Sequence, residues 1–172
     1  MGPDPLGAAE AKKSWFEKLS EQVPGYAGYA DRERRRDADK TLRMLVAARI
    51  DVARAELAQA KLLLTDQGKL SGALAVDRVE KRAAVLSDRI RLASYGFSGV
   101  FDGQKVSETE LAALYAFDGR LFDSAQGIAQ LSMDVVSKAS AAADPAEATG
   151  RVEAAIADLD RAFTDRGATI ER

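Results

Sequence analysis

Neither cysteine nor histidine occurs among the 172 residues. Without them there are no disulfides, no thiolate nucleophiles, and no imidazole bases or metal ligands. Ser-His-Asp and Cys-His triads are excluded, as are di-iron bundles built on Glu-x-x-His pairs. An all-carboxylate metal or acid/base site is the chemistry left open. No phosphate-cradling loop is present either, because Gly96-Phe97-Ser98-Gly99 has neither the Walker nor the dinucleotide spacing. The expectation is a protein that is not an enzyme, with no catalytic residue, no metal ligand and no cofactor.

Proline is scarce, at four residues. No apolar run approaches the roughly 20 residues of a membrane-spanning helix. The first seven residues lack the basic and apolar regions of a secretory signal, and Leu6 stands where a myristoylation motif has Ser or Thr. The expected location is therefore cytoplasmic. What the chain has in quantity is Ala, Leu and charge, with 30% of residues charged, a composition that suits long helices. The length suits a single domain with its own core.

Net charge is only −2, but it is unevenly spread. Residues 1–93 carry 18 Lys/Arg against 14 Asp/Glu, and residues 94–172 carry 7 against 13. Two halves of a bundle could complement each other this way, and the same asymmetry could orient subunits or steer a partner.

Residues 8–22 read as a short amphipathic helix with Trp15, Phe16 and Leu19 on one side. Val23 meets Pro24, which ends it. A helix this short needs a surface to dock on, whether the protein's own bundle, a partner or a lipid surface. Pro24-Gly25-Tyr26-Ala27-Gly28-Tyr29 is a turn with two tyrosine anchors, Tyr26 and Tyr29. Residues 1–29 thus form an N-terminal segment ahead of a bundle domain spanning 30–172.

Within that domain, Leu42, Val46, Ile50, Ala53, Leu57, Ala60 and Leu64 recur at threes and fours, which predicts a long helix over 30–67 stopped by Gly68. Val76, Val79, Ala83, Leu86, Ile90, Ala93 and Phe97 predict a second over 71–95, folded back on the first. A Gly/Phe-rich connector over 96–106 is expected to cover one end of the core. Ser107-Glu108-Thr109-Glu110 has the form of a capping box and predicts a third helix running to about Ala141. Its inward series is Leu111, Leu114, Phe117 or Asp118, Leu121, Ala125, Ile128, Leu131 and Val135. Asp144-Pro145 starts a fourth, with Val152, Ala155, Ile156, Leu159 and Phe163 inward and Gly167 at its end. The fold class is all-α: an antiparallel up-down four-helix bundle with long helices and a short N-terminal helix.

The stretch Val23–Arg43, VPGYAGYADRERRRDADKTLR, together with Tyr95–Asp102 and Leu114–Asp118, resembles a bacterial family of small all-helical proteins with a PGYxGYxxRExRRxADKxLR-type motif. The resemblance covers about a third of the chain. It implies a bacterial, all-helical protein and transfers no activity and no catalytic residue.

Arg32, Arg34, Arg35, Arg36, Lys40 and Arg43 look at first like a nucleic-acid patch. Asp31, Glu33, Asp37 and Asp39 interleave with them, so the stripe lacks the net positive charge that releases counterions from a phosphate backbone. An ion-pair network or an anchor for an acidic partner fits better. Asp118 falls on an inward stripe, where a carboxylate needs a partner; the resemblance, whose motif pairs these two regions, implies Arg32, Arg35 or Arg36. The leading functional reading is a non-enzymatic scaffold or adaptor that presents a helix surface to a protein partner or to itself. Two others stand beside it: a peripheral membrane-associated stress or remodelling factor docking through residues 8–22, and a carboxylate-only enzyme or small-ligand-binding bundle.

Overall fold

The seven apolar residues that step by threes and fours from Leu42 to Leu64 are all buried, at no more than 2% exposure. They belong to α1, Arg32–Asp66, which is followed by α2, Leu70–Leu92, α3, Glu108–Ser140, and α4, Ala146–Ile170. This computed structural model describes the backbone of residues 32–93 and 108–170, and the side chains of 40–93 and 117–165. The N-terminal segment with Trp15, Phe16, Leu19, Tyr26 and Tyr29 lies outside the described residues, as does the connector over 96–106. No strand occurs among those described. At about 1.5 Å per residue, α1 is about 52 Å long.

Both hairpin turns close with the same hydrogen-bond pattern. After α1, the Lys69 amide donates to the Leu64 carbonyl at 2.8 Å and the Gly68 amide to the Thr65 carbonyl at 2.9 Å. Gly68 sits at φ 72°, the left-handed position of a Schellman cap. After α3, the Ala143 amide donates to the Lys138 carbonyl at 2.9 Å and the Ala142 amide to the Ala139 carbonyl at 3.1 Å. Here the left-handed residue, at φ 53°, is Ala142, whose Cβ makes that conformation costly. The Asp144 carboxylate then accepts from the Ala146 amide at 2.9 Å, and the Pro145 carbonyl accepts from the Thr149 amide at 2.8 Å. That is the start signal read from Asp144-Pro145.

Side-chain contacts between helices set their order. Arg49 lies over the Phe122 ring at 5.6 Å, and the Gln67 side chain donates to the Ala139 carbonyl at 2.7 Å, so α1 and α3 run parallel at a constant offset of about 72 residues. Arg82 meets Glu153 and Arg89 meets Asp160, so α2 and α4 also run parallel. α1 borders α2 and α3, while α4 borders α2 and α3. Chain direction alternates up and down as expected, but two of the four sides are parallel pairs, and α2 and α3 occupy diagonal corners. The segment between Leu92 and Glu108 therefore links corners that are not neighbours.

Two helix ends differ from expectation. α4 continues through Gly167 to Ile170, because glycine weakens a helix by about 1 kcal/mol relative to alanine but ends one only where the chain turns left-handed, as at Gly68. α2 stops at Leu92, where Ala93 leaves the helix at ψ 114°. The Arg43 guanidinium donates to the Ala93 carbonyl, supplying one of the partners a helix C-terminus lacks.

The turns make a paired prediction. A Cβ at Gly68 would meet no atom within 4 Å, so Gly68→Ala should cost only the backbone strain, about 1 kcal/mol. Ala142→Gly removes the same strain and should gain about 0.5–1 kcal/mol. Urea denaturation of both variants measures the two signs.

Candidate functional site

α2 and α4 face each other across a furrow whose two walls keep register because the helices are parallel. Arg82 and Arg89 are seven residues apart on α2, and their partners Glu153 and Asp160 are seven apart on α4. Arg89 also donates to the Thr164 hydroxyl at 2.7 Å and lies over the Phe163 ring at 5.8 Å. Beneath these pairs Val85, Leu86, Ile156 and Ala157 line a furrow of about 460 Å³. Such a volume falls within the range of small-ligand sites, which enclose most of their ligand. This one runs along the surface between exposed side chains. The ion pairs are themselves exposed and so contribute little, about 0–1 kcal/mol each.

On the opposite side, α1 and α2 are joined by two polar networks. The Asp51 carboxylate accepts from the Ser87 hydroxyl at 2.9 Å, from Arg54 at 3.1 Å, and from Arg91. Partial burial pushes the Asp51 carboxyl upward, but the hydrogen bonds from Arg91, Ser87 and Arg54 outweigh it and hold the group below its ordinary value. One turn after another along the pair, Lys61 donates to Glu80 at 2.6 Å and to Asp77 at 3.1 Å. Those two bonds raise the Lys61 ammonium, while Lys81 and Lys61 hold Asp77 down. The carboxylates of the furrow and of these two networks, Glu153, Asp160, Asp51, Asp77 and Glu80, are each held by a cation. Among the described residues there is also no group of three or more His, Cys, Asp or Glu side chains that could hold a metal ion.

The chain matches no family model, and no similar protein is found among curated proteins or solved structures. Function rests on the geometry.

Of the residues singled out from sequence, Asp118 is buried at 0% exposure, as its place on the inward stripe implied. The α1/α3 offset puts it level with about residue 45. Arg36 is then about 14 Å away along the axis and Arg43 about 3 Å. Arg43 is also buried, at 7%. The partners expected for Asp118 from sequence are Arg32, Arg35 and Arg36. The side chains of those three lie outside the described residues.

Sequence reading missed the outer face of α2. Leu74, Val85 and Leu92 are 66%, 69% and 79% exposed. Their signal was present: 74, 78, 81, 85, 88 and 92 step by fours and threes, interleaved with the core series 76, 79, 83, 86 and 90. A reading that follows only the most apolar series sees one seam on a helix that carries two.

Two predictions follow from the polar sites. Because the Asp51 carboxyl lies below its unfolded value, it stabilises the fold above about pH 4, and that contribution is lost as pH falls through its folded value. Asp51→Asn should destabilise the protein near neutrality and flatten the acid limb of its stability curve, read by denaturation at a series of pH values. Arg43→Met, which takes the guanidinium from the Ala93 carbonyl at the end of α2, should cost about 1.5–3 kcal/mol, the range for a hydrogen bond from a charged group. A cost within about 0.5 kcal/mol of the parent by urea denaturation would show that this contact does not hold the helix end.

Proposed function

We propose that the protein is a non-enzymatic helical scaffold that acts by offering a helix surface to protein. The observation that carries this reading is the outer face of α2. Its core face buries Val76, Val79, Ala83, Leu86 and Ile90, while Leu74, Val85 and Leu92 stand on the side turned away from the core. Single exposed aliphatic residues need no explanation. Three on one line of one helix, at two-thirds exposure or more, each leave on the order of 1–2 kcal/mol of burial unrealised. The charged residues between them, Arg78, Lys81 and Asp88, keep such a face soluble and give it specificity.

The furrow beside it adds apolar surface framed by charge. No helix among the described residues is long and apolar enough to cross a membrane, and the α2 face carries both signs of charge, a pattern that suits a protein surface better than an anionic lipid one. The proposal includes neither catalysis nor a cofactor.

A photo-activatable residue placed at position 74 or 92 should cross-link to protein, and one at the exposed Lys138 on α3 should not. Leu74→Glu combined with Leu92→Glu should weaken the association tenfold or more while leaving the helical circular dichroism unchanged. Equal labelling from all three positions, or association indifferent to the two glutamates, would remove the outer face of α2 as the working surface.

A further inference from the structure

Resting on that scaffold reading, we infer that the outer face of α2 pairs with the same face of a second copy of this chain, antiparallel, about a two-fold axis near Ala83. Leu74, Arg78, Lys81, Val85, Asp88 and Leu92 are all exposed and alternate in steps of four and three. That spacing is the inner seam of a coiled coil, placed here on the outside of a bundle. A two-fold interface must complement itself, each residue meeting its counterpart's partner.

Set antiparallel about Ala83, the seam does so. Leu74 meets Leu92 of the second copy, Arg78 meets Asp88, and Lys81 lays its aliphatic stem on Val85. Each of these contacts occurs twice. On the flank, Asp77 comes within about 3 Å, along the axis, of the level of Arg91 of the second copy. Like charges approach at the axis, Arg82 against Arg82 and, two residues to either side of Ala83, Lys81 against Lys81; each Arg82 is drawn away by its own Glu153 and each Lys81 by its own Asp77.

The parallel alternative is excluded by the same residues. In register it stacks Arg78 on Arg78, Lys81 on Lys81 and Asp88 on Asp88, three like-charge layers that oppose pairing. A heterologous partner would not require the arginine and the aspartate to be spaced symmetrically about Ala83, five residues to either side. That symmetry is the feature that names a second copy as the occupant. The helix is about 34 Å long, so a single helix pair buries less than the roughly 1,600 Å² of a standard interface. The dimer should accordingly be weak, forming at tens to hundreds of micromolar chain.

Charge exchange tests the register. Arg78→Asp alone and Asp88→Arg alone should each weaken self-association at least tenfold in sedimentation equilibrium, and the two together should restore it to within about threefold of the parent. All four positions of the pair are exposed, so folding is unaffected, which circular dichroism checks.

Thiol chemistry tests the direction without interference, because the chain has no cysteine of its own. A short bis-maleimide should join Leu74→Cys chains to Leu92→Cys chains when the two are mixed, and neither variant to itself. Self-joining of either single variant, or failure of the double charge exchange to restore association, overturns the antiparallel pairing. A chain that stays monomeric to about 500 µM overturns self-pairing altogether. If the photo-activatable residue at position 74 still captures another protein, the scaffold reading survives that failure. If it captures nothing, both fall.

Discussion

The apolar stripe of α1 is the constraint on which the rest depends. From Leu42 to Leu64 it buries every member, and α2 and α3 are both packed against it. A helix of about 52 Å with a single continuous stripe can shelter two neighbours along its whole length only if both lie on the same side. α4 then takes the remaining corner and covers the inward faces of α2 and α3. This order makes α1 and α3 a parallel pair, held in step from Arg49 over Phe122 to Gln67 on Ala139.

Charge is sorted by depth around that core. Buried Arg43 closes the end of α2 and stands within one turn of the level of buried Asp118. Partly covered networks around Asp51 and Lys61 join α1 to α2, and their hydrogen bonds outweigh the penalty of burial. The outermost pairs, Arg82 with Glu153 and Arg89 with Asp160, contribute least to stability. Their role is positional: they align the two walls of an apolar furrow.

α2 is the helix that serves two surfaces at once. Its inner seam is Val, Ala, Leu and Ile, and its outer seam alternates aliphatic with charged residues. The first is what a folded core requires, because a polar atom left there without a partner costs more than a methyl group gains. The second is what a reversible interface tolerates, since each of its side chains is acceptable in water when the partner is away.

The helices, their inward residues from Leu42 to Ile90 and from Phe117 to Phe163, and the Asp144-Pro145 start were legible in the amino-acid sequence, since threes-and-fours spacing and capping chemistry act over a few residues. Gly68 was legible for the same reason; Ala142 was not, because a left-handed alanine is imposed by the hairpin around it. Which helices become neighbours was settled only in three dimensions. Apolar stripes say that faces must be covered but not by which helix, and parallel packing of α1 on α3 arises from side chains more than 70 residues apart. The same ignorance of register left the partner of Asp118 open among Arg32, Arg35 and Arg36, whose side chains lie outside the described residues. It also left the outer seam of α2 unseen, because an exposed leucine differs from a buried one only in what the rest of the chain places over it.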